Sequence, residues 1–97
     1  MLTSKQRANL RSQANQMETI LQVGKGGIAD ALIKQVDDAL TAREMIKLRV
    51  LETAPDTARD TAEQMAGQVG AEVVQVIGTR FILYRRNPKK PIYDPDK

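Results

Sequence analysis

Two apolar runs, 72–77 (EVVQVI) and 80–85 (RFILYR), are separated only by Gly78 and Thr79. Nothing else in the sequence restricts the fold as strongly. So short a link cannot carry a crossover, so the two runs must pair as antiparallel strands. Glycine in the first position of the link suits a type II′ turn, which needs positive φ there. Both runs are apolar on both faces, so the second face of their sheet needs partial cover as well as the first.

The rest of the chain supplies the partners of that hairpin. Residues 19–23 (TILQV) are a short β-rich run that closes on Gly24-Lys25-Gly26-Gly27. Helical spacing follows in Ile28, Leu32, Val36, Ala39 and Leu40, with Asp30, Lys34, Asp37 and Asp38 on the outside. Residues 45–51 alternate, with Ile46, Leu48 and Val50 against Lys47 and Arg49, which predicts a strand with one wetter face. Ala54-Pro55-Asp56 is a turn, and Asp56 or Thr57 can cap a helix with a narrow stripe of Ala58, Ala62, Met65, Ala66 and Val69. Gly70 is a natural stop for that helix. At the other end, residues 4–17 read as a helix, with Thr3 and Gln6 fitting a capping box and Leu2 available as a staple. Leu10, Ala14 and Met17 form its buried stripe. Arg7 and Arg11 flank that stripe, Asn15 continues their row, and Lys5 points elsewhere.

The order is therefore α-β-α-β-α-β-β. Right-handed crossovers moving the same way put the second and third helices on one face of the sheet. The expected fold is α/β, a two-layer sandwich of a four-stranded mixed sheet and helices. The pattern gives the first helix no position. Residues 1–86 form the expected domain. Residues 87–97 (NPKKPIYDPDK) hold three of the four prolines and predict an extended or disordered tail.

The side-chain inventory narrows the chemistry. The chain of 97 residues has no Cys and no His, so thiolate sites, cysteine nucleophiles and the commonest general base and metal ligand are excluded. Asp37/Asp38 and Asp56/Asp60 read as solvated helix surface, and no catalytic residue, metal site or cofactor is expected. No apolar run is long enough to cross a membrane and the start of the chain has no signal-like apolar core, so a soluble cytoplasmic protein without a small-molecule substrate is expected. Phe81, Tyr84 and Tyr93 are the only aromatics, too scattered for a base-stacking platform. The net charge of +3 is unevenly spread. Lys5, Arg7 and Arg11 have no acid among residues 1–17, and Arg80, Arg85, Arg86, Lys89 and Lys90 have none among residues 80–90. If these basic segments share one side, the field attracts a polyanion.

Gly24-Lys25-Gly26-Gly27 is the candidate site. The G-x-x-G pattern closes a strand and is expected to open a helix, whose first N–H groups suit a phosphate. It lacks the spacing of a P-loop and of the dinucleotide fingerprint. The spacing alone also allows a tight turn that needs positive φ.

Several segments carry a resemblance: Leu2-Thr3-x-Lys5-Gln6-Arg7-x-x-Leu10-Arg11-Ser12-x-Ala14, Gln22-Val23-Gly24-Lys25-Gly26-Gly27-Ile28, Ile46-Lys47-Leu48-x-Val50, Gly70-Ala71-x-Val73-Val74-Gln75-Val76-Ile77-Gly78 and Leu83-Tyr84-Arg85. In these the chain resembles the CRM domain (chloroplast RNA splicing and ribosome maturation), above all its stand-alone bacterial form, the YhbY-type ribosome-assembly proteins. The resemblance covers residues 2–86. It implies a fold like the C-terminal domain of initiation factor three, with KH-like RNA binding through the GxxG loop and nearby basic surface. It also implies association with precursor large ribosomal subunits. The expected RNA-binding residues are Gly24, Lys25, Gly26, Gly27, Arg7, Arg11, Lys5, Gln22, Lys47, Arg80 and Arg85, with ribosomal proteins as further partners. Where the family usually has histidine, this chain has Asn15, which stays polar but cannot be charged. The alternative is a protein-interaction module whose acidic second and third helices bind a basic ribosomal or assembly protein.

Overall fold

The computed structural model describes residues 2–96. The elements follow the expected order: α1 (Ser4–Gln13), β1 (Thr19–Val23), α2 (Asp30–Arg43), β2 (Met45–Val50), α3 (Ala58–Val69), β3 (Glu72–Ile77) and β4 (Arg80–Tyr84). The four-stranded sheet has the order β1-β2-β4-β3. β1 and β2 are parallel, as a helical crossover through α2 requires. β4 pairs antiparallel with both β2 and β3, so the hairpin folds back between them. Gly78 has φ +57° and Thr79 does not share the positive region, the pattern of a type II′ turn.

Alternation along β2 and β4 divides the apolar residues between two cores. Ile46, Leu48, Val50, Phe81 and Leu83 face α2 and α3, where they meet Val36, Leu40, Ala62 and Met65. The alanines at 58, 62 and 66 let α3 lie close to β3 and β4. Thr57 caps α3 by accepting the Asp60 N–H, and Gly70 ends it at φ +66°.

The opposite face holds the second core and gives α1 its position. Leu10 and Ala14 pack on Met45, Val74, Ile82 and Tyr84, so α1 is a third, partial layer over one end of the sheet. This is the cover that the two-sided apolar hairpin demanded. The Thr3–Gln6 capping box is present in both directions at 3.0 Å. α1 is shorter than the periodicity predicts. It ends at Gln13, and the chain turns through residues 14–17, closed by the Met17 N–H to the Ala14 carbonyl at 3.0 Å. The turn lets Met17 reach the second core, and it takes Asn15 off the helical row of Arg7 and Arg11.

The last residues form no regular element but dock on the domain. Tyr93 packs on the second core, and the Gln13 side-chain amide exchanges hydrogen bonds with the Asp94 backbone. The anchor is Glu44, fully buried at 0% exposure and with φ +69°. Its carboxylate accepts the backbone N–H groups of Asn87, Ile92 and Tyr93 at 2.6, 2.8 and 2.7 Å.

Candidate nucleic-acid interface

The Gly24–Gly27 segment is a hydrogen-bonded turn, closed by the Gly27 N–H to the Gly24 carbonyl at 2.9 Å. Its glycines have different reasons to be glycine. Gly27 has φ +63°, and a Cβ there would lie 3.0 Å from Cγ of Pro55. A Cβ on Gly24 would meet Leu51 at an ordinary 3.7 Å. Gly26 lies outside the positive-φ region and a Cβ would meet nothing within 4 Å. The turn that needs a left-handed residue is thus satisfied by Gly27, and the fold makes no demand on Gly26. Lys25, between them, is exposed.

The motif does not itself open the helix. Ile28 and Ala29 intervene, and α2 starts at Asp30 with Ala29 as N-cap and no side-chain cap. Alanine cannot supply a capping oxygen, so the first N–H groups of α2 are left without a side-chain acceptor. Asp30, in the first turn, is the acid nearest the motif in sequence and is itself favoured by the helix dipole.

Two contacts gather the loops at this end of the sheet. The Leu51 N–H bonds the Val23 carbonyl at 2.9 Å, and the Val50 N–H bonds the Thr79 carbonyl at 2.7 Å. The GxxG turn, the end of β2 and the β3–β4 turn are therefore neighbours. Gln22 and Arg80 are exposed on the strands that lead into this cluster. Arg49, absent from the expected site residues, pairs in register with both of them. The alternation of 45–51 was the signal that could have selected it. Lys47 is half-buried on the same face, with its Nζ 3.5 Å from the Met17 carbonyl.

The remaining expected residues lie elsewhere. Arg7 and Arg11 stand over edge strand β3, where they line an open groove with Arg59, Glu63 and residues 73–76. The Arg7 Nε donates to the Val73 carbonyl at 3.1 Å, which occupies one edge acceptor of β3. With strands about 4.8 Å apart, that edge is roughly 14 Å from β1 across the sheet. Lys5 is exposed on α1. Arg85 is committed to the fold: its guanidinium pairs with the Asp37 carboxylate at 2.6 Å and donates to the Val69 and Asp37 carbonyls and the Thr41 hydroxyl. It ties α2 and α3 to the end of β4 and has little left to offer an external anion.

Behind this surface, burial pushes the Tyr84 phenol above the ordinary tyrosine range, and the Glu44 carboxylate adds to the shift. Among the described residues, no group of His, Cys, Asp or Glu side chains could hold a metal ion, and no helix is long and apolar enough to cross a membrane.

The model of the CRS1/YhbY (CRM) domain matches residues 2–85. The chain belongs to the CRM domain family. Among CRM relatives, the "Probable RNA-binding protein YqeI" of Bacillus subtilis is 44% identical over 87 residues, covering 90% of this chain and 91% of that protein. The "Probable RNA-binding protein MJ0652" of Methanocaldococcus jannaschii is 33% identical over 108 residues, covering 99% of this chain and 80% of its own length. The solution structure of the hypothetical protein SAV1595 from Staphylococcus aureus superposes with a TM-score of 0.78 at 42% identity, covering 97% of this chain and all of that one. The CRM fold of this chain thus spans both cores, the α1 layer included.

Proposed function

We propose that this CRM domain binds RNA, clamping phosphate backbone with the Gly24–Gly27 turn, and that its RNA is that of the precursor large ribosomal subunit. The observation that carries the clamp is Gly26. Neither its φ nor its surroundings require glycine, so a missing side chain there serves an approach from outside. A bare backbone beside an exposed lysine suits a sugar-phosphate chain, which needs close contact as well as charge. The uncapped first turn of α2 adds N–H groups and a positive dipole end within reach of the same turn. Arg80, Gln22 and Lys47 extend the basic and polar surface along the sheet, and Arg7, Arg11 and Lys5 extend it over α1 and the β3 edge. The names of the relatives as RNA-binding proteins support RNA as the polyanion. The large-subunit assignment follows from the resemblance to the stand-alone bacterial CRM proteins.

The test is a graded substitution at Lys25. Lys25→Ala removes the charge and leaves the backbone donors, and Lys25→Asp puts a negative charge where the phosphate would sit. RNA affinity is expected to fall from wild type to Lys25→Ala to Lys25→Asp, with similar melting temperatures, since an exposed position shifts stability by no more than about 0.5 kcal/mol. Equal binding by wild type and Lys25→Asp at low salt would remove the clamp. Crosslinking in cells followed by sequencing of the attached RNA tests the ribosomal assignment. Reads spread evenly over cellular RNA would refute it.

A further inference from the structure

One row of side chains crosses the whole sheet on the face away from α2 and α3. The register sets Gln22 against Arg49, Arg49 against Arg80 and Arg80 against Ile77, so the row runs over β1, β2, β4 and β3 in turn. All four residues are exposed, Ile77 at 53%. Their neighbours Val23, Leu48, Val50 and Phe81 belong to the core under the helices, so alternation puts the row on the other side. α1 covers that side only farther along, at Met45, Ile82 and Tyr84.

The centre of the row is electrostatically unfavourable. Directly opposed cross-strand residues have Cβ atoms about 4.5–5.5 Å apart, and like charges there repel. Among the described residues neither guanidinium forms an ion pair or a hydrogen bond, whereas Arg7 and Arg85 both do. Two adjacent unpaired guanidiniums form a two-pronged seat for one anion, because each can present a planar fork of donors to a phosphate. At the β1 edge the seat opens into a depression of about 370 Å³ lined by Thr19, Gln22, Arg49 and Arg80 and, from α2, by Gln35.

We propose that this row is a second RNA contact, in which Arg49 and Arg80 share one phosphate of a single strand while Gln22 and Ile77 meet the nucleotides on either side. Gln22 offers amide donors and an acceptor to a base edge, and Ile77 offers an apolar surface to a base face. The proposal rests on the RNA reading of the Gly24–Gly27 turn. Gln22 lies two residues before Gly24, so a strand leaving the turn meets the row at once. A single strand fits better than a duplex, because only unstacked bases can reach a polar group and an apolar group on opposite sides of one phosphate.

The experiment compares Arg49→Gln, Arg80→Gln and their double variant with wild type and Lys25→Asp. Each is titrated with a single-stranded and a fully paired RNA oligomer of equal length at several salt concentrations. Each single row variant is expected to lose about tenfold in single-strand affinity, the size of one charge-assisted contact. The double variant should lose little more than either single one, because both act on the same phosphate. Its slope of log K against log salt should fall by about 0.7, the value for one phosphate of a single strand. Duplex affinity should change less. Melting temperatures at low salt should hold or rise as the repulsion is relieved. Double-variant affinity equal to wild type, with Lys25→Asp still weakened, would overturn the row and leave the loop clamp standing. The opposite pattern would overturn the clamp and leave the row. Additive losses with a slope change of about 1.4 would overturn the shared phosphate. Equal losses on both RNAs would overturn the single-strand assignment.

Discussion

Glu44→Gln tests how the end of the chain is held. The substitution keeps the shape of a side chain that is fully buried and contacts three backbone N–H groups. A carboxylate can accept all three, through Oε2 from Asn87 and through Oε1 from Ile92 and Tyr93. An amide has one oxygen. If that oxygen stays with Ile92 and Tyr93, the NH₂ group confronts the Asn87 N–H, donor against donor; the flipped amide confronts two donors instead. An orphaned buried donor costs about 1–3 kcal/mol. The two surviving bonds also lose their charge assistance, which is roughly half their strength. A net loss of about 2–4 kcal/mol follows, and for a domain of this size each kcal/mol moves the melting temperature by about 4–8 °C. The full-length variant should therefore melt at least ~8 °C lower. In a chain ending at Asn87, two of the three donors are gone and water can reach the carboxylate, so the same substitution should cost about 1 kcal/mol or less. Thermal melts and urea titrations of all four proteins give the coupling energy directly. A full-length Glu44→Gln protein as stable as wild type would refute the anchor, and so would equal losses in both backgrounds.

Other substitutions probe the remaining contacts. Gly27→Ala should destabilise by about 1–2 kcal/mol through its left-handed φ, plus any cost of displacing Pro55, whereas Gly26→Ala should leave the melt unchanged and weaken RNA binding. Asp30→Asn should strengthen RNA binding by removing the acid beside the α2 terminus, while costing the helix about 0.3–1 kcal/mol of dipole interaction; weaker binding would separate that terminus from the interface. Arg7→Glu with Arg11→Glu should weaken RNA binding and flatten its salt dependence, and an unchanged slope in the folded protein would remove α1 from the footprint. Tyr84 should ionise above the ordinary tyrosine range by ultraviolet titration, and Glu44→Gln should lower that value by removing the neighbouring negative charge. Because its folded pKa is raised, the stability linked to Tyr84 is fully present below the unfolded tyrosine value and is lost as pH rises through the folded one, so Tyr84→Phe should blunt alkaline unfolding.

Element order was legible because period and punctuation agreed. Alternation in 45–51, the glycine-first link at 78 and the Thr3–Gln6 pair each specify local geometry, and each is present. What was hidden depends on contacts between distant segments. Glu44 looks like one more acid at the end of an acidic helix, and only the return of residues 87–93 makes it a buried acceptor. Arg80 and Arg85 sit at the two ends of the same apolar run, yet one is exposed and the other is fixed by Asp37 and Thr41. Residue type could not separate them, because the strand carries one toward the open face and the other toward the joint of α2 and α3. The glycines divide in the same way: the motif marks a turn, but only φ and the approach of Pro55 identify Gly27 as the one the fold requires.

The two-faced charge distribution has a consequence that net charge understates. On α2 and α3 the exposed acids Asp30, Asp37, Asp38, Asp60 and Glu63 outnumber the exposed bases Lys34, Arg43 and Arg59 by two, while Lys25, Arg49 and Arg80 are exposed at the loop and the opposite sheet face. Stacked layers lie about 10 Å apart, close to the screening length of about 8 Å at physiological ionic strength. Near that ionic strength each face acts almost alone, and the affinity of the proposed complex would be decided by the groups that touch phosphate. In dilute salt the screening length exceeds the thickness of the domain, so a polyanion seated on the loop and the sheet face would also feel the small net negative charge of the helical layer. That repulsion would weaken binding slightly and bias an encounter away from the outer faces of α2 and α3. On the proposed reading, the acids that face away from the loop would disfavour docking through the helical layer, whereas Asp30, in the first turn of α2, would oppose the clamp itself.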